Sequence, residues 1–149
     1  MKHIGIISAM LFMVTCGSQA QAQDYKMGLG IRISSNAAIV NHSISLKYFF
    51  REKTAVEALF SFGDPLALGV LVEQHVPLQS NGFKWFYGGG GYVAFKGTYA
   101  GLQGVLGLDY KVPTIPLNFS IDWKPELNLA KEFTFEPAAL GFSARFTLK

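Results

Sequence analysis

Several groups of side chains in this sequence have the types and spacing to do chemistry. His42 adjoins Ser43 and lies three residues from Ser45, the makings of a serine nucleophile with a histidine base, which would also need an orienting acid. Glu73 and His75 are two residues apart, so on a strand they share a face and could give two ligands to a metal ion. Glu57, Glu73, Asp109 and Asp122 could supply the paired carboxylates of a hydrolase. The stretch "FKWFYGGGGYVAF", residues 83–95, sets four consecutive glycines among aromatics, and a glycine-rich loop can cradle phosphate. Whether any of these functions depends on the elements that position them.

Those elements read as strands, because apolar and polar residues alternate with period two and no long 3.6-residue stripe occurs. In residues 25–34, "YKMGLGIRIS", one face carries Tyr25, Met27, Leu29, Ile31 and Ile33 and the other Lys26, Gly28, Gly30, Arg32 and Ser34. Residues 40–50 repeat the pattern, with Val40, Ile44, Leu46, Tyr48 and Phe50 against Asn41, Ser43, Ser45 and Lys47. Similar segments occupy residues 54–62, 66–76, 83–93, 101–112, 117–123 and 138–149. Gly63-Asp64-Pro65, "PLQSNG" from Pro77, "PTIP" from Pro113 and the stretch from Pro125 punctuate them. Eight such segments predict an all-β fold, an eight-stranded antiparallel up-and-down barrel.

Each strand can be assigned an apolar face free of charge. The opposite face collects Lys26, Arg32, Lys47, Glu57, Glu73, Lys84, Asp109, Lys111, Asp122, Lys124, Arg145 and Lys149, and His75 shares it. A one-sided sheet can close with its apolar face inward, as a soluble lipocalin-like carrier does, or outward toward lipid. The polar face is also rich in small residues such as Gly28, Gly30, Gly88, Gly90, Gly107, Gly141, Ser43 and Ser45. They would make room for long charged chains in a narrow lumen, which favours the outward closure and a transmembrane barrel. Tyr25, Tyr48, Phe50, Trp85, Tyr87, Tyr110 and Trp123 are then the expected interfacial aromatics. A soluble periplasmic carrier of an apolar ligand is the alternative.

Placed on this scaffold, the chemical candidates lose their partners. Ser43 and Ser45 point to the lumen while His42 has the other parity and no acid on its face, so His42 reads as an interfacial residue near a loop. With no other histidine inside, Glu73 and His75 read as part of a hydrogen-bonded network, and the carboxylates as partners of Lys and Arg in a structural plug. Gly88 and Gly90 face the lumen, Gly89 and Gly91 face outward, and Tyr92-Val93-Ala94-Phe95 continues the strand with no Lys-Ser/Thr after it. The reading is therefore a non-enzymatic protein with no catalytic residue, metal or cofactor.

The beginning of the chain has its own signature. Lys2 precedes the apolar run "IGIISAMLFMVTC", and Ala20-Gln21-Ala22 supplies an A-x-A cleavage site, which predicts that residues 1–22 are a signal peptide removed on export. Residues 23–149 then form one barrel domain. The single cysteine, Cys16, leaves with the leader, so no disulfide is available. Twelve Lys and Arg remain of the thirteen once Lys2 is gone, against ten acids, a net charge of +2 that gives no reason to expect a nucleic-acid partner.

The exported start, "WFYGGGGYVAF", "GLQGVLGLDYKV", "LNFSIDWKPELNL" and the closing "GFSARFTLK" together resemble the small eight-stranded outer-membrane barrels of Gram-negative bacteria, the OmpX and OmpA-transmembrane-domain type. That resemblance implies a place in the cell outer membrane, insertion by the barrel-assembly machinery, outer-membrane lipid as the surroundings, and no shared catalytic residues. A monomer is expected. One departure is the ending Phe-Thr-Leu-Lys in place of a terminal aromatic, so recognition of the last strand would rest on Phe142, Phe146 and Leu148. Loops at residues 35–38, 63–65, 94–100 and 125–137 would face outward from the cell, and the last, with Phe133 and Phe135, is the expected place for a ligand or partner to touch.

Overall fold

A computed structural model describes residues 25–35, 40–63, 65–80, 82–95, 99–130, 133–137 and 139–149, so the expected leader lies outside the described residues. The strands are β1 (Met27–Ser34), β2 (Ser43–Phe49), β3 (Thr54–Ser61), β4 (Ala67–Pro77), β5 (Phe83–Ala94), β6 (Ala100–Lys111), β7 (Leu117–Trp123), β8 (Glu126–Asn128), β9 (Thr134–Glu136) and β10 (Leu140–Leu148). Every pairing is antiparallel. β1 through β7 pair in chain order, β7 pairs with β10, and β10 returns to β1, which closes an eight-stranded up-and-down barrel. The seam is regular, with eight residue pairs from Met27↔Leu148 to Ser34↔Gly141. At the hairpin between β4 and β5, Gly82 takes a positive φ of 81°, a conformation that side chains with a Cβ rarely adopt.

Its shape follows from the register. Crossing from Gly28 to each paired neighbour in turn meets Lys47, Glu57, Leu71, Gly90, Gln103 and Glu126. Asn118 lies eight residues before Glu126 on the same stave, and crossing from it meets Arg145 and then Gly30, two residues past Gly28. The circuit thus closes with a stagger of ten residues, the eight along that stave and the two along β1. Ten residues over eight strands, at ~3.3 Å per residue and ~4.7 Å between strands, tilts the staves by about 40° and gives a radius of about 8 Å, room for side chains and little else.

The burial pattern is inverted relative to a water-soluble core. Leu29, Ile31, Ile33, Ile44, Leu46, Val70, Val72, Leu106, Leu108, Ile121, Phe142 and Phe146 face outward, each 40–66% exposed. Arg32, Lys47, Glu57, Glu73, Asp109, Asp122, Lys124 and Arg145 face inward and are buried. The lumen is not wholly polar, however. Leu59, Leu71, Phe86 and Val105 pack there with Val40, Ala67 and Tyr92, a small apolar core along the β3–β6 side.

Four expectations need correction. Lys26 is exposed and Tyr25 is buried, the reverse of their predicted faces, because β1 begins only at Met27 and a bend at Lys26 turns the Tyr25 ring into the barrel mouth. There it meets Phe49 edge-on at 5.3 Å, so Tyr25 is not an interfacial aromatic. Lys111 is only half-buried and spends its ammonium on its own turn, donating to Val112 O at 2.6 Å and Ile115 O at 2.9 Å, so it stands outside the lumen network. Val40 faces inward, ahead of the ladder of β2. Finally, residues 125–137 are not simply a loop. β8 continues the line of β7 without loss of register, since Leu106 faces Trp123 and Gln103 faces Glu126, and β9 folds back on β8 as a hairpin. Pro125 interrupts the line without breaking it, its carbonyl accepting from Gly104 N–H at 3.0 Å.

Candidate functional site

The chemistry-bearing residues converge in the lumen, where two clusters form. The first centres on Arg145 of β10. Its guanidinium donates to Ser45 Oγ at 2.7 Å, Ser120 Oγ at 2.9 Å and Asn118 Oδ1 at 3.2 Å, and it pairs with Glu57. Ser45 in turn donates to Glu57 at 2.5 Å, and Asn118 Nδ2 donates to Asp109 at 3.0 Å. Beside it Lys47 Nζ lies 2.8 Å from Glu73, which His75 Nε2 also meets at 3.0 Å. Aromatic rings floor this group: His75 stacks on Phe86 and meets Phe49 edge-on, and Lys47 sits 4.6 Å from the Phe86 ring centre. Lys84, opposite Asp109 in register, is buried with its ammonium 5.9 Å from the Phe49 ring centre.

The second cluster lies toward the β8–β9 hairpin. Arg32 grips Asp122 with two parallel bonds of 3.1 and 2.5 Å, a fork geometry that lysine could not reproduce. The pair lies over Gly141, where a Cβ would overlap the Arg32 guanidinium and displace it. Lys124 donates to Glu126 at 3.3 Å, Gln103 at 3.2 Å and Val40 O at 3.4 Å, and Glu126 accepts from Val40 N–H at 3.3 Å. Glu126 is the member that sequence reasoning missed. Its signal was present, because the inward series Asn118, Ser120, Asp122, Lys124 continues to it with period two, but Pro125 reads as the end of a strand.

The remaining candidates are separated. Ser43 and Ser45 are buried in the lumen while His42 is exposed on the outer face, its Nδ1 accepting from Ser34 N–H at 3.3 Å. No group of three or more His, Cys, Asp and Glu side chains gathers as metal ligands among the described residues. Of the aromatics, Tyr48, Phe50, Trp85 and Tyr110 point outward near the end of the barrel that holds Lys26 and Leu148, joined by Phe83, which stacks on Tyr110 at 4.4 Å. Tyr87 and Trp123 also point outward but sit away from that end, each opposite Leu106.

The fold and its interior define an antiparallel eight-stranded barrel whose lumen holds ion-paired clusters beside a small apolar core. Comparison with family models, with curated proteins and with solved structures finds no match.

Proposed function

We propose that the mature chain is a non-enzymatic integral β-barrel of the bacterial outer membrane, with a structural or interaction role exercised through its loops. One observation carries this reading: large apolar side chains cover the outside on all eight staves while the buried inside holds Arg, Lys, Glu and Asp in mutual pairs. In water that arrangement is doubly unfavourable, because it exposes apolar area and dehydrates charges at once. In a bilayer the outer face is already in its preferred solvent. From Leu66 to Val76 the outward face of β4 is apolar but for Gln74, and ten residue steps at ~3.3 Å and a ~40° tilt span roughly 25 Å, the height of an outer-membrane apolar band. The aromatics around Tyr48, Trp85 and Tyr110 suit one lipid interface. With the amino terminus on the periplasmic side, the β8–β9 hairpin and its exposed Phe133 and Phe135 face the exterior.

A soluble lipocalin-like carrier would need the opposite polarity, an apolar cavity within and a wet surface without. Cell fractionation separates the two readings. The mature chain should leave the membrane only with detergent and run faster on a gel unheated than boiled, while recovery from the periplasm without detergent overturns the proposal.

A further inference from the structure

His42 is a polar island on the outer apolar face. It precedes β2, and the exposed side chains around it are Ile31, Ile33, Ile44 and Phe62, which line with it a groove of about 340 Å³, near the lower end of small-molecule sites. Its ring orientation is set by the backbone. Nδ1 accepts from Ser34 N–H, which leaves Nε2 as the ring's donor. The groove runs from His42 toward mid-barrel along Ile44 and Ile31, which face each other across β1 and β2. A second outer groove, beside Gly91 and Leu129, is larger but its outward-facing walls are Leu68, Val70, Val93 and Leu129, with no polar group among them.

We infer that this groove seats one acyl chain of an ester-linked membrane lipid, whose ester carbonyl accepts a hydrogen bond from His42 Nε2. The inference rests on the membrane reading above and goes beyond it by naming a lipid site. Its logic is local. A donor at the edge of an apolar face is costly unless it finds an acceptor. A chain lying in the groove places its own ester carbonyl at the groove's mouth, beside His42. Lipid over the larger groove gains only apolar contact, so this lipid should be held longer than one bound there.

The test uses the mature protein in vesicles of a diacyl phosphatidylcholine, or of the ether-linked analogue that lacks the ester carbonyl, followed by extraction and native mass spectrometry. Heat-dependent gel mobility on the same samples reports insertion. The wild-type chain should retain one ester lipid after others have been stripped. His42→Phe, or the ether lipid, should lower the lipid-bound to lipid-free ratio about five-fold, the scale of one hydrogen bond. His42→Gln, which keeps a donor, should recover it. Retention unchanged in His42→Phe, or equal for ester and ether lipids, overturns the lipid site while leaving the membrane reading standing. Failure of the wild-type chain to insert overturns both.

Discussion

Arg145 concentrates more of the lumen's hydrogen bonding than any other side chain described, and its consequences are those of a stranded charge. It binds Glu57, Ser45, Asn118 and Ser120 with almost no exposure to solvent. Removing Glu57 leaves the guanidinium without its counter-ion inside a narrow tube. Glu57→Ala should therefore cost about 3–5 kcal/mol, read from the urea unfolding midpoint in vesicles. Arg145→Met in the same chain should recover part of that loss, since no buried charge is then left over. Strict additivity of the two single losses would show that the pair does not act as a unit. At this scale the sequence was partly legible. Parity placed Arg32, Asp122, Glu57, Glu73 and Arg145 in one interior, because inward direction on a strand repeats every second residue. It could not say which acid meets which base, since that depends on stagger between strands and on the reach of each side chain. Nor did it separate Phe49, Leu59, Leu71, Phe86 and Val105, which share the inward parity, from a purely polar lining.

Along single elements, β6 offers the cleanest contrast of the two environments. Leu106 and Leu108 point out and Gln103, Val105 and Asp109 point in. On the membrane reading, an arginine at Leu106 would lie at bilayer depth and should cost about 2–4 kcal/mol, whereas at Gln103 it would enter a lumen already lined by Lys124 and Glu126. A fluorescent label at position 106 should be reached by a quencher carried on lipid acyl chains and a label at 103 should not. Equal quenching at both would refute the outward-apolar barrel. The strands themselves were readable because their period-two pattern persists for seven residues or more. Where the pattern is short or interrupted it misleads. Lys26 and Tyr25 precede the first regular pair of β1, and β8 hides behind Pro125, a residue that ordinarily ends a strand and here stays within a stave because its carbonyl still accepts from Gly104 N–H, although the return bond of that pair is lost with its own N–H.

For the whole barrel, the plug has a transport consequence. Arg145, Glu57, Lys47 and Glu73 cross a lumen of about 8 Å radius beside Leu59, Leu71 and Phe86, all essentially solvent-free. The wild-type protein in a planar bilayer should show no steady ionic conductance, and a reproducible open level would mean that the plug yields. The seam between β1 and β10 bears on a different matter, the order of events in time. It joins Met27 to Leu148, and Lys26 N–H donates to Leu148 O at 2.9 Å, so the ladder that completes the ring ties nearly the whole described chain end to end. Contacts of such long sequence separation form late and slowly. A nascent chain halted before β10 is not a smaller barrel but an open sheet with two raw edges, its oily side and its charged side both on offer to the wrong neighbours. Pairing of the nine-residue β10 with β1 is thus the step at which both edges disappear.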